Sequence, residues 1–274
     1  MLIVQISDPH VLPDGWLAFG AVDTAAMLER AVDAVLALDP APDAVLLTGD
    51  LVAEPWPEAY KRAVRSLARL RAPLYPIPGN HDDRVLMRRC FGESGLFPSS
   101  GRLHYSLDLG DLRLICLDSL VEGSPWGELG EAQVAWLDRT LSGGPRRPTL
   151  LALHHPPFRT GIGHMDWSML RDADALAAVV GRHPEIERVL CGHVHRHVVR
   201  RWAGTIAEIA PGVAHAVKLV LGAERGPWIV EPPMMLLHYW SEATGLVSHA
   251  HLVGPGGPEG RFKDPHQPPS AAGR

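Results

Sequence analysis

The chain has 274 residues, of which 46% are hydrophobic and 21% charged, enough to bury most of a two-layer core as one large domain or one domain with a cap. Its net charge of −5 argues against general nucleic-acid affinity, and the basic stretch 196–201 reads as a solvated loop or edge strand. Three cysteines without C-x-x-C spacing argue against a disulfide framework or thiolate zinc site, and neither a leader pattern nor a run of about 18 apolar residues is visible, so a cytoplasmic protein with no membrane partner is expected.

Residues 2–6 read as a buried strand, and 21–38 as a helix with Asp23 as N-cap and Met27, Ala31, Ala34, Val35 and Leu38 on one face. A second strand is expected at 44–47 and a second helix at 58–70. A third strand at 73–77 runs into Pro78-Gly79-Asn80-His81. This βαβαβ opening predicts a mostly parallel sheet. Asp82, Asp83 and Arg84 read as helix-start residues. The segments 104–109 and 112–118 flank Gly110-Asp111, a two-residue hairpin signal. A helix over 131–141, a strand over 149–153, a helix over 171–180 and a strand over 188–191 follow. Residues 198–209 keep strand character. Gly and Pro then punctuate short apolar runs over 211–253, the strongest being 232–240. The expected division is a core over 1–197, core-completing strands and a small β-rich cap over 198–253, and a disordered tail over 254–274.

Five short polar motifs each follow an apolar run: Asp8-Pro9-His10, Gly49-Asp50, Gly79-Asn80-His81, His154-His155-Pro156 and Gly192-His193-Val194-His195. Ligand sites of open α/β sheets gather at the carboxyl ends of strands, so these motifs are expected to converge. In an extended segment residues i and i+2 point the same way, which would aim Asp8 with His10, and His193 with His195, at one point. Gly49, Gly79 and Gly192 directly precede proposed ligands, where a missing Cβ permits close approach. Two carboxylates, one carboxamide and at least four imidazoles are enough to hold two divalent ions side by side. Such a centre activates water and stabilises a phosphoryl transition state. Hard oxygen mixed with imidazole suits Zn, Fe, Mn or Co better than Ca or Mg. Two ions carry about +4 and the two aspartates return −2, so the centre would attract an anionic phosphodiester.

In this order the motifs resemble the calcineurin-like metallophosphoesterase superfamily over roughly residues 1–215. Gly79-Asn80-His81-Asp82-Asp83 and His154-His155-Pro156-Pro157 are similar to its class III cyclic-nucleotide phosphodiesterase and bacterial glycerophosphodiesterase branch. The resemblance implies a four-layer α/β/β/α sandwich. It implies Asp8, His10 and His195 on a first metal, Asn80, His154 and His193 on a second, and Asp50 bridging both. His81 would contact the phosphate or protonate the leaving alkoxide, and His215 would line the substrate pocket. It also implies homodimers or higher assemblies through the cap.

The expected activity is hydrolysis of small phosphodiesters, glycerophosphodiesters or 3′,5′-cyclic nucleotides, by a hydroxide bridging the metals. Alternatives are a phosphomonoesterase, for which no motif places arginines at the site, a nuclease of the same superfamily, and a scaffold that has lost its chemistry. His104, His164, His183, His197, His238, His249, His251 and His266 read as core or surface residues, and His155 as core or a support behind the site. Trp126, Trp136, Trp167 and Trp240 read as packing, although a loop tryptophan could stack on a nucleobase.

Overall fold

The computed structural model describes residues 1–254 of the chain. β1 (Leu2–Ile6), β2 (Ala44–Leu47) and β3 (Leu74–Pro76) lie parallel in that order, and α1 (Thr24–Leu36) and α2 (Pro57–Leu67) cross between them. Each element starts where its chemistry allows. Asp23 accepts the N–H of Ala26 at 3.1 Å to cap α1, and Pro57 opens α2, where its missing N–H costs nothing. Side chains alternate along the strands. Val4, Ile6, Val45 and Leu47 pack against Leu28 and Val32 of α1 and Ala59 and Ala63 of α2. Ile3, Ala44 and Leu46, out of phase by one, face away from the helices.

α3 (Arg84–Phe91) begins after Asp83, whose carboxylate accepts the N–H of Leu86 at 2.8 Å. β4 (Tyr105–Leu109) and β5 (Leu112–Cys116) form the expected hairpin, with Leu109 opposite Leu112. α4 (Gly130–Ser142), β6 (Thr149–Ala152), α5 (Gly163–Asp166), α6 (Ala173–Val180) and β7 (Ile186–Cys191) follow. The strand character expected over 198–209 is split into β8 (Val198–Trp202) and β9 (Thr205–Ile209). They turn at Ala203-Gly204, both at positive φ, which lacks the usual Asn-Gly or Asp-Gly signal. The second sheet runs β4-β5-β6-β7-β9-β8, with β5, β6, β7 and β9 parallel.

One face of this sheet, including Ile115, Leu151, Val189 and Ile209, packs on Leu137 and Leu141 of α4 and on Leu176 and Val180 of α6. The other, with Leu114, Cys116, Leu150, Ala152 and Leu190, meets Ile3, Leu46 and Ile77 of the first sheet's side. The layers are therefore helix, sheet, sheet, helix, and Cys116 and Cys191 are small core residues.

Of the core-completing strands and small β-rich cap expected over 198–253, the structure has strands that join both sheets. β12 (Met234–Ser241), the strongest apolar run of that region, pairs antiparallel with β1 inside the first sheet, and β13 (Gly245–Leu252) is that sheet's edge. Among the described residues, β10 (Ala216–Val217) and β11 (Trp228–Ile229) stand apart, as a two-stranded sheet. Of the tail expected over 254–274, all but Gly254 lies outside the described residues. Among the described residues no helix is long and apolar enough to cross a membrane.

Candidate metal centre

All five motifs lie just past the carboxyl ends of parallel strands. Asp8 and His10 follow β1, Asp50 follows β2, Asn80 and His81 follow β3, His154 follows β6, and His193 and His195 follow β7. His215 follows β9. Facing sheets bring both sets of ends to one edge. The aiming differs from the extended geometry expected. Asp8, His10, Asp50, His193 and His195 all have positive φ, between 45° and 74°. Alternating left-handed residues coil each short run around the site, so main-chain groups as well as side chains turn inward. The His193 N–H, for example, donates to Asp8 Oδ1 at 3.0 Å.

The side chains meet as two groups. In one, His195 Nε2 lies 3.0 Å from His10 Nε2 and 3.5 Å from Asp8 Oδ1, and His10 Nε2 lies 3.5 Å from Asp50 Oδ2. In the other, His154 Nε2 lies 3.2 Å from Asn80 Oδ1 and 3.3 Å from Asp50 Oδ2, and His193 Nδ1 lies 3.1 Å from Asn80 Oδ1. Asp50 is in both. Asp8, His10, Asp50, His154, His193 and His195 are buried, while Asn80 and His81 are half-buried.

Hydrogen bonds on the far side of each ring decide what faces inward. His154 Nδ1–H donates to the main-chain oxygen of Thr48 at 2.7 Å, and His195 Nδ1–H to that of His215 at 2.9 Å. His193 Nε2–H donates to Ser168 Oγ at 2.9 Å, because the Ser168 hydroxyl spends its own proton on Met165 O. The other nitrogen of each neutral ring then carries a lone pair. Those lone pairs point at the oxygens of Asp8, Asp50 and Asn80. Acceptors face acceptors, an arrangement that repels unless positive charge sits between them. Donors about 2.1 Å from one ion at octahedral or tetrahedral angles lie about 3.0–3.4 Å apart. The observed separations, 3.0 to 3.5 Å, fit a divalent ion in each group.

The calcineurin-like phosphoesterase profile matches residues 1–197. The chain belongs to the calcineurin-like phosphoesterase family. It is 34% identical over 264 residues to the glycerophosphodiester phosphodiesterase GpdQ of Enterobacter lignolyticus, covering 93% of this chain and 94% of that one. It is 34% identical over 203 residues to the 3′,5′-cyclic adenosine monophosphate phosphodiesterase CpdA of Escherichia coli K12, covering 74% and 72%. Among solved structures, a dimetal phosphatase from Danio rerio aligns with a TM-score of 0.61 at 14% identity, covering 93% of this chain and 99% of that one. That likeness is one of fold.

The electrostatics of this calcineurin-like site express the same need for a cation. Burial disfavours the charged form of His154, yet the Asp50 carboxylate, by charge and by hydrogen bond, and then Asp8 push its pKa up to about 9. A divalent ion held there would supply that positive charge in place of a proton. Burial also works against the Asp50 carboxylate, but His154 and His81 keep it well below the usual range. His193 is pushed down to about 3, first by burial and then by the charge of His154.

Several supports carried no recognisable motif. Ser168 lies far from His193 in sequence and has no signal of its own. Thr48 directly precedes Gly49-Asp50, so its carbonyl was findable from the strand end. Asp82, read as a helix-start residue, is instead buried in the floor. It accepts the N–H groups of Gly79 at 2.9 Å and Leu51 at 3.2 Å and the hydroxyl of Tyr60 at 3.0 Å. The glycines behave as expected. A Cβ on Gly79 would sit 2.1 Å from Asp50 Oδ1, and one on Gly192 would sit 2.2 Å from Ser7 Oγ.

A cavity of about 620 Å³ opens onto the cluster. His10, Asp50, Asn80, His81, His193, His195 and His215 line its polar part. His81 Nδ1–H donates to Ala53 O at 2.8 Å, which leaves Nε2 for the cavity. The His215 ring, pushed down to about 3 by burial and then by the charge of His195, stays neutral. No arginine or lysine lines this cavity among the described residues.

Proposed function

We propose that this protein is a dinuclear-metal-dependent hydrolase of small phosphodiesters. The observation that carries this reading is the convergence of inward imidazole lone pairs with Asp8, Asp50 and Asn80 into two groups that share Asp50. Asp8, His10 and His195 would hold one ion, Asn80, His154 and His193 the other, and Asp50 both. Zinc, iron, manganese and cobalt all suit such donors. Bound there, the pair lowers the pKa of water and neutralises phosphoryl oxygens.

The remaining roles fall to the chain. The His81 N–H holds Asp50 Oδ1 at 2.9 Å, and its Nε2 is placed to contact the phosphate or pass a proton to the departing alkoxide. His215 lines the cavity against the rings of His10 and His195. Among the described residues no lysine or arginine lines the cavity, which favours a monoanionic diester over a dianionic monoester. The relatives named for glycerophosphodiesters and for cyclic AMP make these the substrate classes to test. The same reading makes the protein a cytoplasmic homodimer or higher homo-oligomer joined through the C-terminal region, where Leu219, Leu221 and Val230 are exposed. Sedimentation that returns a monomer, or fractionation outside the cytoplasm, removes that part.

The deciding experiment compares bis(p-nitrophenyl) phosphate with p-nitrophenyl phosphate, using protein loaded with Mn(II). Preference for the diester, lost in Asp50→Ala and Asn80→Ala while both variants keep the wild-type circular dichroism, is the expected result. Undiminished turnover by either variant sinks the assignment.

A further inference from the structure

Next to His215, which contacts His10 and His195, the cavity wall is aromatic. Phe19 stacks on Trp228, with ring centroids 4.6 Å apart and planes within 10°, and meets His215 edge-on at 4.9 Å. The two residues come from the loop before α1 and from β11, and they remain 55% and 41% exposed. Phe19 sits at φ +55°, a left-handed conformation strained for a bulky residue. The chain therefore holds an aromatic ring at the mouth against its own backbone preference.

The cavity volume, about 620 Å³, falls within the range of about 300–1,000 Å³ typical of pockets for drug-sized ligands. An exposed aromatic platform in a cavity of that size recognises the face of a planar heterocycle. A glycerol moiety offers no face to stack.

We propose that Phe19 and Trp228 form a base-stacking subsite, so that the preferred diester carries a nucleobase, as a 3′,5′-cyclic nucleotide does. This rests on the phosphodiesterase reading, which sets the phosphate at the histidine cluster, and it selects between the two substrate classes named there.

The test uses Mn(II)-loaded protein and two arms. The first measures kcat/KM for 3′,5′-cyclic AMP and for glycerophosphoethanolamine. The second measures calorimetric binding of 5′-AMP and glycerol 3-phosphate, which needs no turnover. The wild type is expected to favour cyclic AMP and to bind 5′-AMP more tightly than glycerol 3-phosphate. Stacking of one base contributes about 1–3 kcal/mol, so Trp228→Ala and Phe19→Leu should lower the cyclic AMP to glycerophosphoethanolamine ratio by about 5- to 150-fold, with 5′-AMP binding weakened in step. Phe19→Leu keeps apolar bulk and removes only the ring, which separates stacking from misfolding. Equal or better use of glycerophosphoethanolamine by the wild type, or a ratio unchanged in both variants, overturns the subsite. If no diester is turned over, the phosphodiesterase reading fails by itself and binding still decides. Tighter 5′-AMP binding that Trp228→Ala removes sustains the subsite, and equal binding of the two phosphates ends it.

Discussion

Ser168→Ala is the sharpest probe of the proposed centre, because it touches no proposed ligand atom. The Ser168 hydroxyl takes the Nε2–H of His193 at 2.9 Å and gives its own proton to Met165 O at 2.9 Å. Alanine leaves the buried His193 N–H without an acceptor, at a cost of about 1–3 kcal/mol if the ring stays in place. The ring escapes that cost by turning, or by carrying its proton on Nδ1. Either removes the lone pair that faces Asn80 Oδ1 at 3.1 Å. The group built from Asn80, His154 and His193 should then bind its ion about 10- to 100-fold more weakly. That is about 1.4–2.7 kcal/mol, the size of the lost hydrogen bond. The group built from Asp8, His10 and His195 should be spared, because His195 is oriented by the main-chain oxygen of His215 at 2.9 Å. Calorimetric titration of metal-free protein with Mn(II) reads both groups. The expected trace changes from two tight equivalents to one tight and one weak. Two equivalents at wild-type affinity would refute the tautomer reasoning, and equal weakening of both would refute the division into two groups.

Away from the site, Glu208 is 2% exposed and accepts from Arg188 Nη1 at 2.5 Å, Ser248 Oγ at 2.8 Å and His197 Nε2 at 2.9 Å. Glu208→Gln leaves Arg188 buried without its counter-charge, so urea unfolding should show a loss of about 3–5 kcal/mol; a loss below about 1 kcal/mol would mean that water already screens the pair. Burial acts to raise the Glu208 carboxyl, but the His197 hydrogen bond, the charge of His238 and Arg188 outweigh it and hold the pKa at about 2, against an ordinary 4.5. A folded pKa below the unfolded one stabilises the fold above about pH 4.5, and the gain drains away as pH falls towards about 2. The difference corresponds to about 3 kcal/mol, so wild-type stability should decline over that window and Glu208→Gln should decline less; parallel decline would contradict the assignment. In Gly79→Ala the new Cβ, 2.1 Å from Asp50 Oδ1, must displace that carboxylate. Elemental analysis should find fewer than two metals per chain and thermal melting a destabilisation of about 1–3 kcal/mol, whereas a fully loaded variant with wild-type turnover would show that Asp50 has room to move.

Much of the fold and the candidate site was legible because local chemistry specifies it. The apolar periods of 2–6, 44–47 and 149–153 mark strands, Asp23 caps its helix, and Gly110-Asp111 turns its hairpin, each through interactions within a few residues. The polar motifs were legible for the same reason, since each interrupts an apolar run where a parallel strand ends. What only the tertiary structure decided depends on partners distant in the chain. Nothing near 234–241 says that this strand pairs with Leu2 to Gln5 on one side and with 245–252 on the other, because a strand's partners are set by the sheet that accepts it. The left-handed backbone of Asp8, His10, His193 and His195 replaces the expected extended geometry, and it is stabilised by contacts between the two sheets, such as the His193 N–H on Asp8. Ser168 beneath His193 and Phe19 against Trp228 carry no pattern in the sequence, since each acquires its role only when the chain brings another segment against it. By itself the sequence determined which elements form and which side chains reach the sheet edge, because helix and strand periods are short-range. Folding decided which ring nitrogens face inward and what walls the cavity, because hydrogen-bond partners and packing neighbours are long-range.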